Sequence, residues 1–198
     1  MNQSRQKITG ILLAGGKSSR MGKEKGKIIV GDQFLYQYPL RVLESMCDEI
    51  LISSCKNMEI EEKHLQICDE IPNIGPIGGL YTCLKKSSND LNIILSYDLP
   101  FINEELLHFL LESLDTADAV FPAITIGKPE PLCAIYRKNI VGVMKDQIEN
   151  LAFAVHKVFP LINTKTVLIT ENMPFYHKDL FLNINNETDL DKLSDDLR

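Results

Sequence analysis

Residues 8–27 read ITGILLAGGKSSRMGKEKGK, a short apolar run followed by a glycine-rich, cationic loop. The run, Ile8 to Leu13, has the length and the glycine punctuation of a strand buried on both faces. Gly15, Gly16 and Gly22 let backbone N–H groups approach a ligand closely, and Lys17, Arg20, Lys23, Lys25 and Lys27 add positive charge. At a strand end this combination suits a polyphosphate, whose charge must be offset before anything can attack it. The alternative is a solvated basic loop that binds nothing; strand-end placement, paired glycines and interleaved cations coincide against it. Two familiar phosphate motifs nearly fit. A Walker loop needs glycine, four residues, then Gly-Lys-Ser or Gly-Lys-Thr. Counting back from Gly16-Lys17-Ser18 puts Ile11 where the first glycine belongs, and Gly10 is one residue too early. The dinucleotide fingerprint fails because Gly15 and Gly16 are adjacent and the next glycine is Gly22.

Strand and helix patterns alternate through the rest of the chain. Leu35, Leu40, Leu43 and Met46 fall at helical spacing, and Ile50 to Ile52 resumes as strand. Pro76 to Leu84 reads as a helix opened by proline. Leu91 to Leu95 is a further buried strand, ending at Ser96, Tyr97 and Asp98. Asn103 caps a helix with Glu104 and Glu105 in its first turn and Leu106, Leu110 and Leu114 on one face. Ala119 to Phe121, Leu132 to Tyr136 and Thr166 to Thr170 read as later strands. A last helix is expected with Asn186 as cap, Asp189 at the third helical position, and Leu190, Leu193 and Leu197 as its buried stripe. The alternation implies a three-layer α/β/α fold, helices lying on both faces of a mainly parallel, mixed sheet. A length of 198 residues suits a single domain over 1–198. In such sheets the ligand lies beyond the carboxyl ends of the strands, here after Leu13, Ile52, Ile67 and Leu95.

Composition narrows the function. A net charge of −6 argues against a nucleic-acid partner, which would demand a basic face. The N-terminus MNQSRQK lacks the apolar core of a signal peptide, and no apolar run reaches ~18 residues, so a soluble cytoplasmic protein with no membrane partner is expected. The five cysteines, Cys47, Cys55, Cys68, Cys83 and Cys133, show no zinc-knuckle or redox-pair spacing and are expected to be reduced thiols. His64, His108, His156 and His177 are scattered, without metal-ligand spacing or a Cys–His pair, and are expected to be surface or packing residues.

Two carboxylates stand out at strand ends. Asp98 follows a buried strand, where one carboxylate together with substrate phosphate oxygens can hold Mg²⁺. Its alternative role as a helix cap is weakened because Asn103 already serves the next helix. Asp69 follows Ile67-Cys68 and precedes Gly75-Pro76-Ile77-Gly78-Gly79; it is either a ligand contact or a turn residue.

Taken together these segments resemble the molybdenum cofactor guanylyltransferase family, within the superfamily of glycosyltransferase-A-like nucleotidyltransferases. Leu13-Ala14-Gly15-Gly16, Ser19-Arg20-Met21-Gly22 and Glu24-Lys25-Gly26 look like the family's opening motif, and SYDLPFI, residues 96–102, looks like its metal-binding segment. Gly127 to Tyr136 resembles a loop and strand on the acceptor side, and FLNINNETDL, residues 181–190, resembles an Asn-x-Asn segment before the last helix. Leu-Ala-Gly-Gly is similar to the guanylyl-transferring members, whereas cytidylyl-transferring relatives tend to read Leu-Ala-Ala-Gly.

The resemblance implies a Rossmann-like nucleotidyltransferase fold. It also implies GTP and Mg²⁺, molybdopterin as acceptor, and transient contact with molybdenum cofactor assembly proteins. It assigns Lys25, Arg20 and Asp98 to catalysis, and Leu13, Ala14, Gly15, Gly16, Lys25, Ser53, Asp69 and Asp98 to the nucleotide. Asp98 would hold the metal, and Asn183 and Asn185, alternating along a strand, would bind the acceptor. Ser53 stands where relatives can carry a nucleotide-contacting asparagine, and its hydroxyl replaces one of that side chain's hydrogen bonds but not both. Relatives usually present an arginine between Asn150 and Val158; here only His156 and Lys157 offer a cation. Two other readings stay open: a cytidylyl- or sugar-phosphate nucleotidyltransferase of the same fold, and a non-catalytic nucleotide-binding relative. Retention of both Lys25 and Asp98 weighs against the second.

Overall fold

The computed structural model describes residues 6–15, 28–55, 58, 60–185 and 189. Among these the strands are β1 (Ile8–Leu13), β2 (Ile29–Val30), β3 (Gln33–Phe34), β4 (Glu49–Ser53), β5 (Leu65–Ile67), β6 (Leu91–Ser96), β7 (Ala119–Thr125), β8 (Lys128–Pro129), β9 (Cys133–Arg137) and β10 (Thr164–Leu168). The α-helices are α1 (Gln37–Met46), α2 (Pro76–Lys86), α3 (Glu104–Leu114) and α4 (Val141–Glu149). The main sheet runs β10-β7-β9-β6-β1-β4-β5, with β8 paired to β7.

β1 is buried along its whole length because β4 and β6 flank it in parallel. Continuous apolar character is what a strand covered on both faces requires. Alternate residues feed two cores. Leu12, Ile50, Ile93 and Ile135 pack with α1 and α3 on one face; Ile11, Leu51, Ile94 and Phe121 pack with α2 and α4 on the other. The sheet is mixed because β9 runs antiparallel between β6 and β7. Gly10 is where α1 crosses the sheet: a Cβ there would come within 3.0 Å of Leu43 Cβ and Cys47 Sγ. The cap of α3 forms as expected, with the Asn103 side chain accepting from Leu106 N at 3.0 Å.

Several boundaries differ from the sequence reading. β10 spans Thr164–Leu168 rather than 166–170, because pairing with β7, Thr164 opposite Ala119 and Leu168 opposite Ala123, sets its extent. α4 carried little periodic signal, since only Met144 and Ile148 on it are buried. The β2–β3 hairpin turns at Gly31, whose φ of +63° lies in the left-handed region. Asn183 and Asn185 lie in no strand; residues 182–185 are irregular. The expected cap Asn186 and the stripe Leu190, Leu193 and Leu197 lie outside the described residues. Asp189 is described, and its carboxylate accepts from Asn185 N at 2.8 Å. No helix among the described residues is long and apolar enough to cross a membrane.

Candidate nucleotide site

The carboxyl ends of β1, β4, β5 and β6 form one lip of the sheet, and backbone bonds carry their register past the last paired residues. Ala14 N donates to Ser53 O at 3.0 Å, and Ser54 N donates to Ile67 O at 2.9 Å. On the other side Tyr97 N donates to Leu13 O at 3.2 Å. Leu13 and Ala14 are thus pinned from both flanks, and the glycine loop leaves the sheet from a rigid base. Gly16, Arg20 and Lys25 lie outside the described residues.

Asp69 sits at the β5 end of the lip. Buried Ser53 donates its hydroxyl to Asp69 Oδ1 at 2.7 Å. A Cβ on Gly15 would stand 3.4 Å from Ser53 Oγ and 3.9 Å from Asp69 Oδ2, so these three residues are drawn into one cluster. The first turn of α2 closes it from above. Gly75 starts the helix at φ +80°, with Pro76 following in its first turn. A Cβ at Gly78 would fall 2.8 Å from Ile71 O, and one at Gly79 would fall 2.2 Å from Ser53 Oγ. Both glycines therefore let a helix approach where any side chain would collide. The role of Gly79 was not foreseen; the signal was a Gly-Gly pair inside a helix, a costly choice without a packing reason.

Asp98 lies at the opposite end, beyond β6. Ser96 Oγ donates to Asp98 Oδ1 at 2.6 Å, and Ile184 N donates to Asp98 O at 2.9 Å. That bond anchors buried Ile184 to Asp98, with Asn183 and Asn185 exposed on either side of it. The two asparagine side chains meet without a strand to align them, Asn185 Nδ2 donating to Asn183 Oδ1 at 2.6 Å. Glu130, in the loop before β9, was not singled out from the sequence. Its carboxyl is pushed above the ordinary range, first by the protein packed around it and second by the Asp98 carboxylate. Its fields and those of Asp98 therefore overlap at the same end of the lip. Burial, and then the Asp98 charge, also raise the Tyr97 phenol.

No group of three or more His, Cys, Asp or Glu residues is gathered among the described residues. The groups linked to Asp98 bear oxygen: the Ser96 hydroxyl, bonded to its carboxylate, and the Glu130 carboxyl, which feels its charge. Hard oxygen donors of this kind, completed by phosphate, fit Mg²⁺ better than they fit zinc. Histidines play packing roles where they are buried. His64 Nε2 lies 3.0 Å from Glu44 Oε1, and His177 Nε2 lies 3.1 Å from Phe101 O. His156 and Lys157 lie exposed on a 3₁₀ turn over 155–157.

One expectation is overturned. Cys55 and Cys68 form a disulfide, with Cα atoms 4.4 Å apart. They lie 13 residues apart in sequence, a spacing that matches no local cysteine motif. Parallel pairing of β4 with β5, Ser53 opposite Ile67, brings the two strand ends side by side. Cys47, Cys83 and Cys133 are thiols outside any disulfide. Burial, and then the charge of Asp69, push the Cys83 thiol up to about 12, so it stays protonated and inert.

Comparison with known proteins gives this lip its context. Residues 10–156 match the family described as the MobA-like NTP transferase domain. The chain is 30% identical over 191 residues to a probable molybdenum cofactor guanylyltransferase of Carboxydothermus hydrogenoformans, covering 95% of each. It is 30% identical over 190 residues to the molybdenum cofactor guanylyltransferase of Campylobacter jejuni, covering 95% of this chain and 96% of that one. Molybdopterin-guanine dinucleotide biosynthesis protein A of Archaeoglobus fulgidus has a similar fold, with a TM-score of 0.77 at 21% identity over 93% of this chain and 95% of that one. Glycine-led strand end, flanking carboxylates and full-length similarity converge: the chain is a nucleotidyltransferase belonging to the molybdenum cofactor guanylyltransferase family.

Proposed function

We propose that this protein, acting as one domain over residues 1–198 in the cytoplasm, transfers GMP from GTP to the phosphate of molybdopterin and releases pyrophosphate. The observation that carries the reading is the placement of two carboxylates on opposite flanks of Leu13–Gly15, Asp69 beyond β5 and Asp98 beyond β6. Three strand spacings separate them, on the order of 14 Å. That span accommodates a nucleoside with its base at one end and its phosphates at the other. Ionised Asp69 only accepts hydrogen bonds, and guanine offers two adjacent donors, N1–H and the 2-amino group, where adenine and cytosine place an acceptor beside their single amino group. Ser53 orients the carboxylate, and Gly15 leaves room for the base to approach.

At the phosphate end Asp98 would hold Mg²⁺, which supplies charge neutralisation on the triphosphate. Loop N–H groups of Gly15 and Gly16 would bind phosphate oxygens, with Arg20 and Lys25 offsetting the remaining charge. Asn183 and Asn185 flank Ile184, which is bonded to Asp98, and would position the acceptor; Lys157 would take the place of the arginine usual in relatives. The molybdopterin phosphate carries about −1.5 to −2 charge at pH 7 and needs no general base. Its oxygen attacks the α-phosphorus in line, the bond to the bridging oxygen breaks, and pyrophosphate leaves. Catalysis then consists of bringing two anions together in line. Delivery of molybdopterin implies transient contact with cofactor assembly proteins.

The test is pyrophosphate release from each nucleoside triphosphate, with and without molybdopterin. Release from GTP alone among them, and only with molybdopterin, is expected. Equal release from CTP would move the protein to the cytidylyl branch. Nucleotide binding without release would make it a binding module.

A further inference from the structure

We propose that Cys55 and Cys68 form a reversible thiol–disulfide site whose state sets nucleotide affinity, with a dithiol as its co-reactant. The inference rests on the reading that Asp69 contacts the base. Cys55 follows Ser53 by two residues, and Cys68 directly precedes Asp69, so the cross-link joins the two stems that carry the Ser53–Asp69 pair.

On its far side the Asp69 stem is tied to α2, Glu70 N donating to Thr82 Oγ1 at 3.0 Å and Lys85 Nζ to Glu70 Oε2 at 2.7 Å; toward the sheet it has few ties. β5 is a three-residue strand at the edge of the sheet, bonded to β4 alone. None of its residues is buried, and Leu65 is 56% exposed. Beyond the short ladder, bonds between the stems include Ser53 Oγ to Asp69 Oδ1 at 2.7 Å, Ser54 N to Ile67 O at 2.9 Å and Gln66 Nε2 to Ser54 O at 3.1 Å. A segment with few buried contacts opens locally at low cost, so a covalent tie has leverage there. The rest of the molecule needs no such staple, since its two cores are extensive and disulfides are characteristic of domains too small to build one.

The pair is also placed to react. Both cysteines are exposed, whereas Cys83 and Cys133 are buried. In a reducing compartment a solvent-exposed disulfide is a transient or sensing one. The exchange balances in two steps. A thiolate of the dithiol attacks one sulfur, forming a mixed disulfide and releasing the other cysteine as a thiolate that takes up a proton. The second thiol of the dithiol then attacks the mixed disulfide, freeing the second cysteine. The protein gains two electrons and two protons, and the co-reactant leaves as a disulfide; oxidised dithiol reverses the sequence.

The experiment uses the full chain in two states, oxidised with a cyclic disulfide and reduced with dithiothreitol. Alkylation and mass spectrometry report the state of Cys55 and Cys68, and calorimetry with GTP and Mg²⁺ reports affinity. Reduction is expected to free both thiols and weaken GTP binding by at least about fivefold, the lower end of typical coupling between sites. Re-oxidation should restore it, and a Cys55→Ser/Cys68→Ser variant should bind like the reduced protein in both conditions. The comparison of the two wild-type states stands even if that variant fails to fold. Unchanged affinity after confirmed release of both thiols overturns the inference, as does a disulfide that the dithiol does not open. Asp69→Asn, measured in the oxidised state, tests the base contact separately: normal GTP affinity there removes that contact whatever the redox result.

Discussion

Gly79 sits in the first turn of α2, where helix propensity favours alanine, and a methyl group there has nowhere to go. It would stand 2.2 Å from Ser53 Oγ, 3.0 Å from Ser53 Cβ and 3.2 Å from Asp69 Oδ1. No carbon–oxygen contact survives at 2.2 Å, so Gly79→Ala must turn the Ser53 hydroxyl away and break its 2.7 Å bond to Asp69. Losing a hydrogen bond to a carboxylate costs about 1.5–3 kcal/mol. Alanine returns about 1 kcal/mol of helix propensity over glycine. The variant should therefore be destabilised by about 0.5–2 kcal/mol. GTP affinity should fall more steeply, by about tenfold or more, because the carboxylate loses the donor that orients it.

Removing the obstacle supplies the control. Ser53→Ala deletes Oγ and already forfeits the bond, so adding Gly79→Ala to it loses the 2.2 Å clash and meets only the 3.0 Å and 3.2 Å contacts with Cβ at position 53 and Asp69 Oδ1. The two changes should be strongly non-additive, with Gly79→Ala costing at least about 1 kcal/mol less in the Ser53→Ala background. Urea unfolding of the four proteins and GTP calorimetry on the same samples complete the cycle. Equal costs in both backgrounds, or wild-type GTP affinity in Gly79→Ala, would refute the reasoning.

Asp98→Asn keeps the side chain's size but loses its charge; turnover should fall about a hundredfold or more, while GTP binding measured without metal persists. A magnesium titration of turnover that matches wild type would return Asp98 to a turn role. Lys25→Ala should cost about 1.5–3 kcal/mol in kcat/KM for GTP, and unchanged kcat/KM at low salt would make that lysine part of a solvated face. Glu130 has a raised carboxyl pKa, so the folded state holds that proton more tightly than the unfolded chain does. Stability should then decline as pH climbs from the ordinary carboxylate range through the raised value. Glu130→Gln should flatten that decline and be the more stable protein at neutral pH in metal-free buffer; identical pH profiles from urea melts would contradict it.

Local chemistry made much of this molecule legible from its sequence. Ile8 to Leu13 had to be a buried strand because six consecutive residues of that character satisfy no half-exposed face, and β1 spans those residues. Asn103 ahead of two glutamates and a leucine stripe specifies where α3 begins, because caps and periodicity act within one or two turns. The strand-end rule pointed to the carboxyl ends of β1, β4, β5 and β6, and Asp69 and Asp98 follow β5 and β6 there. α4 and the β2–β3 hairpin escaped, their signals spread over too few buried residues.

What the tertiary structure alone decided are the consequences of register between distant segments. Pairing of β4 with β5 makes neighbours of Cys55 and Cys68, and of Ser53 and Asp69, although 13 and 16 residues of chain separate them. The antiparallel course of β9 between β6 and β7 carries Glu130 toward Asp98. One backbone bond from Ile184 to Asp98 O, with no strand around it, anchors the segment that carries the asparagine pair. The need for glycine at 79 exists only because Ser53 lies beneath the first turn of α2. Periodicity and caps are written in residues a few positions apart, whereas contacts across a parallel sheet depend on crossover connections whose length and path no short motif encodes.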